Sequence, residues 1–149
     1  MLFQDFLNWI QRDFCYPVPD DYLSFLKNGD FESTLRKNYV INRESESVLE
    51  ISEWFTCDNI SEIYSNCYKE RMIEKYHLPI LDSCGCTVVL DCNPQNDSYG
   101  QVFLRTPTGY YDENLQDNVY LELDFIANSF SDIINNLKSY KELEEMGIF

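Results

Sequence analysis

Residues 77–105 read HLPILDSCGCTVVLDCNPQNDSYGQVFLR, and the class of fold turns on them. His77 to Leu81 is a short apolar run. Asp82-Ser83-Cys84-Gly85 follows as a turn, since Asp and Ser side chains bond nearby backbone and Gly accepts left-handed dihedrals. Cys86 to Asp91 is rich in residues that pack well on a pleated surface. Asn93 to Tyr99 is dense in Asn, Asp, Pro and Ser and reads as a loop. Gly100 to Arg105 then returns as a partner strand, ended by Thr106-Pro107-Thr108-Gly109.

Upstream, Tyr39-Val40-Ile41 and Val48-Leu49-Glu50-Ile51 are two further strand segments, separated by the polar residues 42–47 and followed by Glu53-Trp54-Phe55. Residues 58–76 predict a helix capped by Asp58 or Asn59, with Ile60, Ile63, Tyr64, Cys67 and Met72 on its inner face. Residues 19–29, PDDYLSFLKNG, predict another. Pro19 sets the opening dihedral, Asp20 and Asp21 sit at the positive end of the helix dipole, Tyr22, Phe25 and Leu26 form a stripe, and Asn28-Gly29 stops it. Near the start, Leu2, Phe3, Phe6, Leu7, Ile10 and Phe14 recur at the steps of an amphipathic helix, with Trp9 beside them.

Downstream, residues 110–122 are an acidic, Tyr-containing connection in which Val119-Tyr120-Leu121 is a candidate strand. A last helix is expected from Asp124 to Leu137, capped by Asp124 or Ser129. Its inner stripe is Ile126, Phe130, Ile133, Ile134 and Leu137, and the tail KELEEMGIF adds a helical turn. Strands in a run, covered by helices, make an α+β fold, expected as one domain over residues 1–149.

The 149 residues carry 11 Lys+Arg against 26 Asp+Glu, a formal net charge of −15, and 15% are aromatic. So aromatic a chain is globular rather than disordered. Its acidity excludes binding to nucleic acid or an anionic membrane, because phosphates must be met by clustered Lys and Arg. No apolar run approaches the ~20 residues that span a bilayer. MLFQDFLNWIQRDF lacks the basic start and small-residue cleavage site of a signal peptide, so a cytoplasmic location is expected.

Cys15, Cys57, Cys67, Cys84, Cys86 and Cys92 are read as reduced packing residues. Cys84-x-Cys86 with Cys92 and the single His77 does not have the paired spacing of a zinc site. Asp91-x-Asn93-x-x-Asn96-Asp97 lacks the Gly and Glu of a calcium loop. There is no nucleophile elbow, Walker loop or G-x-G-x-x-G. No catalytic residue, metal or cofactor is therefore expected, and the chain reads as a binding protein rather than an enzyme.

Pro19 to Gly29, with its aromatic-Leu pair and terminal Asn-Gly, resembles the opening helix motif of the SUKH superfamily, also called the Smi/Knr family. Leu78-Pro79-Ile80, Asp82, Gly85, Val88-Val89-Leu90-Asp91, Gly100 and Val102 are similar to its central strands, and Ile126-Ala127-Asn128-Ser129-Phe130 to its closing helix. Where the family often has paired glycines, this chain has Cys84-Gly85-Cys86. The resemblance implies a single α+β domain with a mixed or antiparallel sheet and flanking helices. It also implies a protein without catalytic residues, many bacterial members being immunity proteins that bind a cognate polymorphic toxin, often a nuclease. Other members are eukaryotic signalling scaffolds, so a regulatory scaffold binding a cellular protein or peptide is the alternative.

The charge distribution bears on this independently. Between Tyr76 and Leu137 the only basic residue is Arg105, against nine acids, a net charge of −8. Such a surface either keeps the protein soluble or attracts a basic partner, speeding association. Tyr110-Tyr111-Asp112-Glu113, with Asp117 and the stretch Tyr120-Leu121-Glu122 nearby, combines aromatics with carboxylates, and Tyr anchors are favoured at interfaces. Glu53 and Trp54 form a second such pair, although a Trp is more often in a core. Together with what the resemblance implies, the expected partner is a cognate toxin protein, basic and of nuclease type, met through Glu53, Trp54, Tyr110, Tyr111, Asp112, Glu113, Asp117 and Glu122.

Overall fold

The computed structural model describes residues 2–28, 36–42 and 45–149. An antiparallel sheet of five strands, in the order β3-β4-β5-β6-β9, forms its centre. The strands are β3 (Glu53–Trp54), β4 (His77–Ser83), β5 (Cys86–Asp91), β6 (Val102–Arg105) and β9 (Asp124–Ala127). Two hairpins stand outside the sheet, β1 (Tyr39–Asn42) with β2 (Ser47–Glu50), and β7 (Gly109–Asp112) with β8 (Asp117–Tyr120). The helices are α1 (Leu2–Trp9), α2 (Asp20–Asn28), α3 (Ile60–Lys69), α4 (Phe130–Asn135) and α5 (Tyr140–Glu145). The fold is α+β, as the strand run predicts.

β4 and β5 are the middle of the core, with Leu78, Ile80, Leu81, Val88, Val89 and Leu90 fully buried. Both faces of these strands are covered, which is why they read as continuous apolar runs rather than alternating ones. Their connection is tighter than the expected four-residue turn. Ser83 pairs with Cys86, and Cys84 and Gly85 both have positive φ, 51° and 89°. Two such residues make the hairpin turn whose twist suits antiparallel strands. Pro79, which has no N–H to give a ladder, sits where the β4–β5 register shifts between Pro79 and Leu81.

Phe130 is the hub on the helical side. Its ring lies 4.9 Å from Tyr22, 5.0 Å from Phe25 and 6.0 Å from Trp54. Asp21 does more than face the helix dipole, since its carboxylate accepts both the Ser131 N–H and the Ser131 hydroxyl, tying α2 to α4. α1 passes into a π-helical turn, Ile10–Phe14, that ends at Cys15 in the left-handed region. Phe6 and Phe14 are buried along it, while Leu2 is exposed. The Gly29 stop expected for α2 lies outside the described residues.

Three boundaries differ from the sequence reading. The 58–76 helix stops at Lys69, because Arg71 turns left-handed (φ 58°) and Met72 N–H bonds back to Cys67 while Arg71 N–H bonds to Tyr68. That is the usual helix-ending motif, with Arg in the position normally held by Gly. Residues 124–127 are the edge strand β9, not the first turn of a helix. α4 therefore begins at Phe130, where the Ser129 hydroxyl accepts the Asp132 N–H. Finally, 110–122 is a hairpin of which only β8 overlaps an expected strand.

Candidate functional site

The β7–β8 hairpin is built mainly by its own turn and by two arginines. Its register pairs Gly109 with Tyr120, Tyr110 with Val119, Tyr111 with Asn118 and Asp112 with Asp117. The strands approach so closely at Gly109 that a Cβ there would lie 2.5 Å from the Val119 carbonyl oxygen. The Asp112 carboxylate accepts the N–H groups of Asn114 (2.8 Å) and Leu115 (3.1 Å), closing the turn, and Gln116 takes positive φ.

β8 faces the body of the molecule. Asp117 pairs with Arg71 at the end of α3. Arg105 lies over the Tyr120 ring, 5.9 Å from its centroid, and its Nε donates to the Met72 carbonyl at 2.7 Å. Burial lowers the Arg105 pKa, a cost offset in part by Asp124 and Glu74. Both arginines thus meet at the corner where α3 ends, and they fix the hairpin there.

β7 faces outward. Tyr110 is 58% exposed, Tyr111 60%, Leu115 at the turn 68% and Leu121 beyond β8 61%. Successive residues of a strand point to opposite faces, so exposure of both tyrosines means that β7 stands clear of the body on each side. From Thr106 to Asp124 there are five acids, Asp112, Glu113, Asp117, Glu122 and Asp124, and no Lys or Arg. Leu115 and Leu121 were not among the candidate residues. Leu115 was signalled by an apolar side chain inside an otherwise polar turn.

The five acids are not equivalent. Asp112 is engaged by its turn and Asp117 by Arg71, so both shape the hairpin, whereas Glu113 and Glu122 are exposed. Reversing Asp112, Glu113 and Asp117 together would therefore disturb the hairpin as well as its charge.

Glu53 and Trp54 lie elsewhere. β3 is the opposite edge of the sheet from β9, three strand spacings from β6, or about 14 Å. Glu53 is exposed opposite Asp82. The half-buried Trp54 ring packs on Phe25 and Phe130 as part of the core, and its Nε1 meets no hydrogen-bond partner among the described residues. The structure does not bring this pair together with the hairpin.

The remaining chemistry-bearing residues have structural surroundings. His77 is buried at the start of β4, opposite Asp91, and its Nδ1 accepts the Glu74 N–H. Burial lowers its pKa to about 4, outweighing the Asp91 carboxylate. Asp91 accepts Ser98 Oγ, Asn96 Nδ2 and the Asn93 N–H, so the loop that faintly echoes a calcium site is organised around its carboxylate. All six cysteines are free. Burial raises the pKa of Cys57, Cys67, Cys86 and Cys92, keeping these thiols protonated. Among the described residues no three His, Cys, Asp or Glu side chains converge as a metal site, and no helix is long and apolar enough to cross a membrane.

The sequence profile of the SMI1 / KNR4 family (SUKH-1) matches residues 4–136. The chain belongs to that family. SUKH domains are known in toxin immunity, and members are generally immunity proteins rather than enzymes. No curated protein matches the sequence. The SUKH-1 match runs from α1 through β9 and α4, taking in the β7–β8 hairpin and leaving α5 beyond it.

Proposed function

We propose that this protein is an immunity protein that neutralises a cognate toxin by stoichiometric binding, with the β7–β8 hairpin as its contact surface. The observation that carries this reading is the outward strand itself. Tyr110, Tyr111 and Leu115 expose large apolar area on a segment that contains five acids and no base. Aromatic anchors set among acids suit a basic protein, and a nuclease is basic where it holds phosphate. The partner is thus a basic toxin domain, of nuclease type, met in the cytoplasm of the producing cell.

The test is protection. Expression of the cognate toxin should stop growth, and co-expression of the protein should restore it. The two should form a complex whose affinity falls as salt is added. A toxin that kills equally with and without the protein overturns the reading. Full protection by a variant carrying Tyr110→Ala, Tyr111→Ala and Glu113→Gln would instead move the contact surface away from the hairpin.

A further inference from the structure

The hairpin already binds two arginines, both its own. On the β8 side a carboxylate, Asp117, holds Arg71, and a tyrosine ring, Tyr120, lies beneath Arg105. The β7 side repeats the same two kinds of group. Glu113 is an exposed carboxylate, and Tyr110 and Tyr111 are exposed rings that meet neither a cation nor another ring among the described residues. We infer that β7 is a receptor for arginine side chains of the partner, one stacking on the Tyr110 ring and another on the Tyr111 ring at the opposite face of the strand, with the Glu113 carboxylate of the adjoining turn as acceptor, the same two kinds of contact that Tyr120 and Asp117 make separately with Arg105 and Arg71. This rests on the reading of the hairpin as a contact surface and adds the chemistry of what it contacts.

Arginine is preferred over lysine for a physical reason. Guanidinium is planar and weakly hydrated, so it lies flat on a ring and donates to a carboxylate at the same time. An ammonium is compact and strongly hydrated, and it meets the carboxylate as a point charge only. A partner that used lysines would gain the long-range attraction of the −15 chain but little from the rings. The preference for arginine is therefore the signature of the site, and salt sensitivity alone is not.

The experiment needs no toxin. Hexa-arginine and hexa-lysine peptides are titrated into the isotope-labelled full chain, and amide shifts are followed by NMR. Hexa-arginine should shift the amides of residues 109–113 most, and bind more tightly than hexa-lysine by roughly two- to fivefold for each ring engaged. In the Tyr110→Ala, Tyr111→Ala double variant that preference should vanish while weak, salt-sensitive binding of both peptides persists. Its core amides serve as the control that the fold is intact. Equal affinity for the two peptides, shifts spread evenly over acidic residues elsewhere, or a preference that survives in the double variant would each overturn the inference. A protein that protects against its toxin yet fails these titrations keeps the immunity reading and loses the arginine site.

Discussion

The β4–β5 hairpin and the β7–β8 hairpin are held by opposite means. β4 and β5 are buried on both faces, and their pairing is continued by β3 on one side and β6 on the other. β7 and β8 pair only with each other and keep no fully buried side chain. The first hairpin is held by burial of apolar area, which is non-directional and strong. The second is held by a turn carboxylate, one ion pair and one ring contact, each worth about 1 kcal/mol or less at an exposed site. What fixes a hairpin also decides what it is free to do. Side chains that stabilise β4–β5 have no surface left for a partner, whereas Tyr110, Tyr111 and Leu115 can be given to recognition because the fold does not use them.

Changes to the core should therefore be felt everywhere, and changes to the outer hairpin only locally. The largest effect is expected from Phe130→Ala. Phe130 is 2% exposed and touches Tyr22, Phe25 and Trp54, so its loss should lower the unfolding free energy by about 3–5 kcal/mol. Urea denaturation followed by tryptophan fluorescence measures this. A loss below about 1 kcal/mol would mean that the rings around Phe130 close the cavity themselves.

Next in size is a pH effect at the edge of the core. The unfolded chain protonates His77 near 6.5, the folded chain only near 4, because burial disfavours the charged ring. Between these values unfolding takes up a proton, so stability is complete above about pH 6.5 and falls as the solution is acidified. The total at stake is about 3 kcal/mol. Urea midpoints measured between about pH 7 and 5 should fall for the parent and change less for His77→Asn. Parallel curves for the two would show that other groups set the acid limit.

These two residues also show what was legible in the sequence. Phe130, Ile133 and Leu137 could be read as a buried stripe because helical spacing survives in the sequence wherever one face is covered. The same spacing misled at Ile126, which falls in step with that stripe although it lies on the edge strand β9. A four-residue strand with one buried side chain leaves too little pattern to compete. β7 was missed for a related reason, since a strand exposed on both faces shows no alternation. The end of α3 was hidden because Arg71 holds the left-handed position where a glycine would have announced it. Of the candidate site, the Tyr and acid residues of 110–113 stood out by composition. The attachment of Asp117 to Arg71 and of Tyr120 to Arg105 did not, because that depends on where α3 ends. Glu53 and Trp54 looked equivalent to them only while the strand order was unknown.

A third prediction separates the two hairpins directly. Gly109→Ala places a methyl 2.5 Å from the Val119 carbonyl oxygen, which is backbone and cannot swing aside. Relieving that contact should cost about 1–3 kcal/mol of local pairing. Amide exchange in residues 109–120 should accelerate, while protection of β4 and β5 and the global unfolding midpoint remain close to the parent's. If the midpoint falls as far as for Phe130→Ala, the outer hairpin is part of the cooperative core after all.

The smallest effect, and the most discriminating, is expected at Arg71, where two properties can be taken apart. Arg71 joins Asp117 across a largely exposed pair and also carries the left-handed backbone that ends α3. Arg71→Gln removes the charge and leaves the backbone cost, so the global stability should fall by about 1 kcal/mol or less while exchange in β8 quickens. Arg71→Gly also removes the charge, but it relieves a conformation that costs a residue with a Cβ roughly 1 kcal/mol. Its global stability should therefore match or exceed that of Arg71→Gln, with β8 exchange just as fast. Opposed movement of the two readouts in the glycine variant would show that the fold and the hairpin's posture are set separately at this corner. Movement in the same direction would mean that the hairpin is held by the shape of the α3 end rather than by the ion pair.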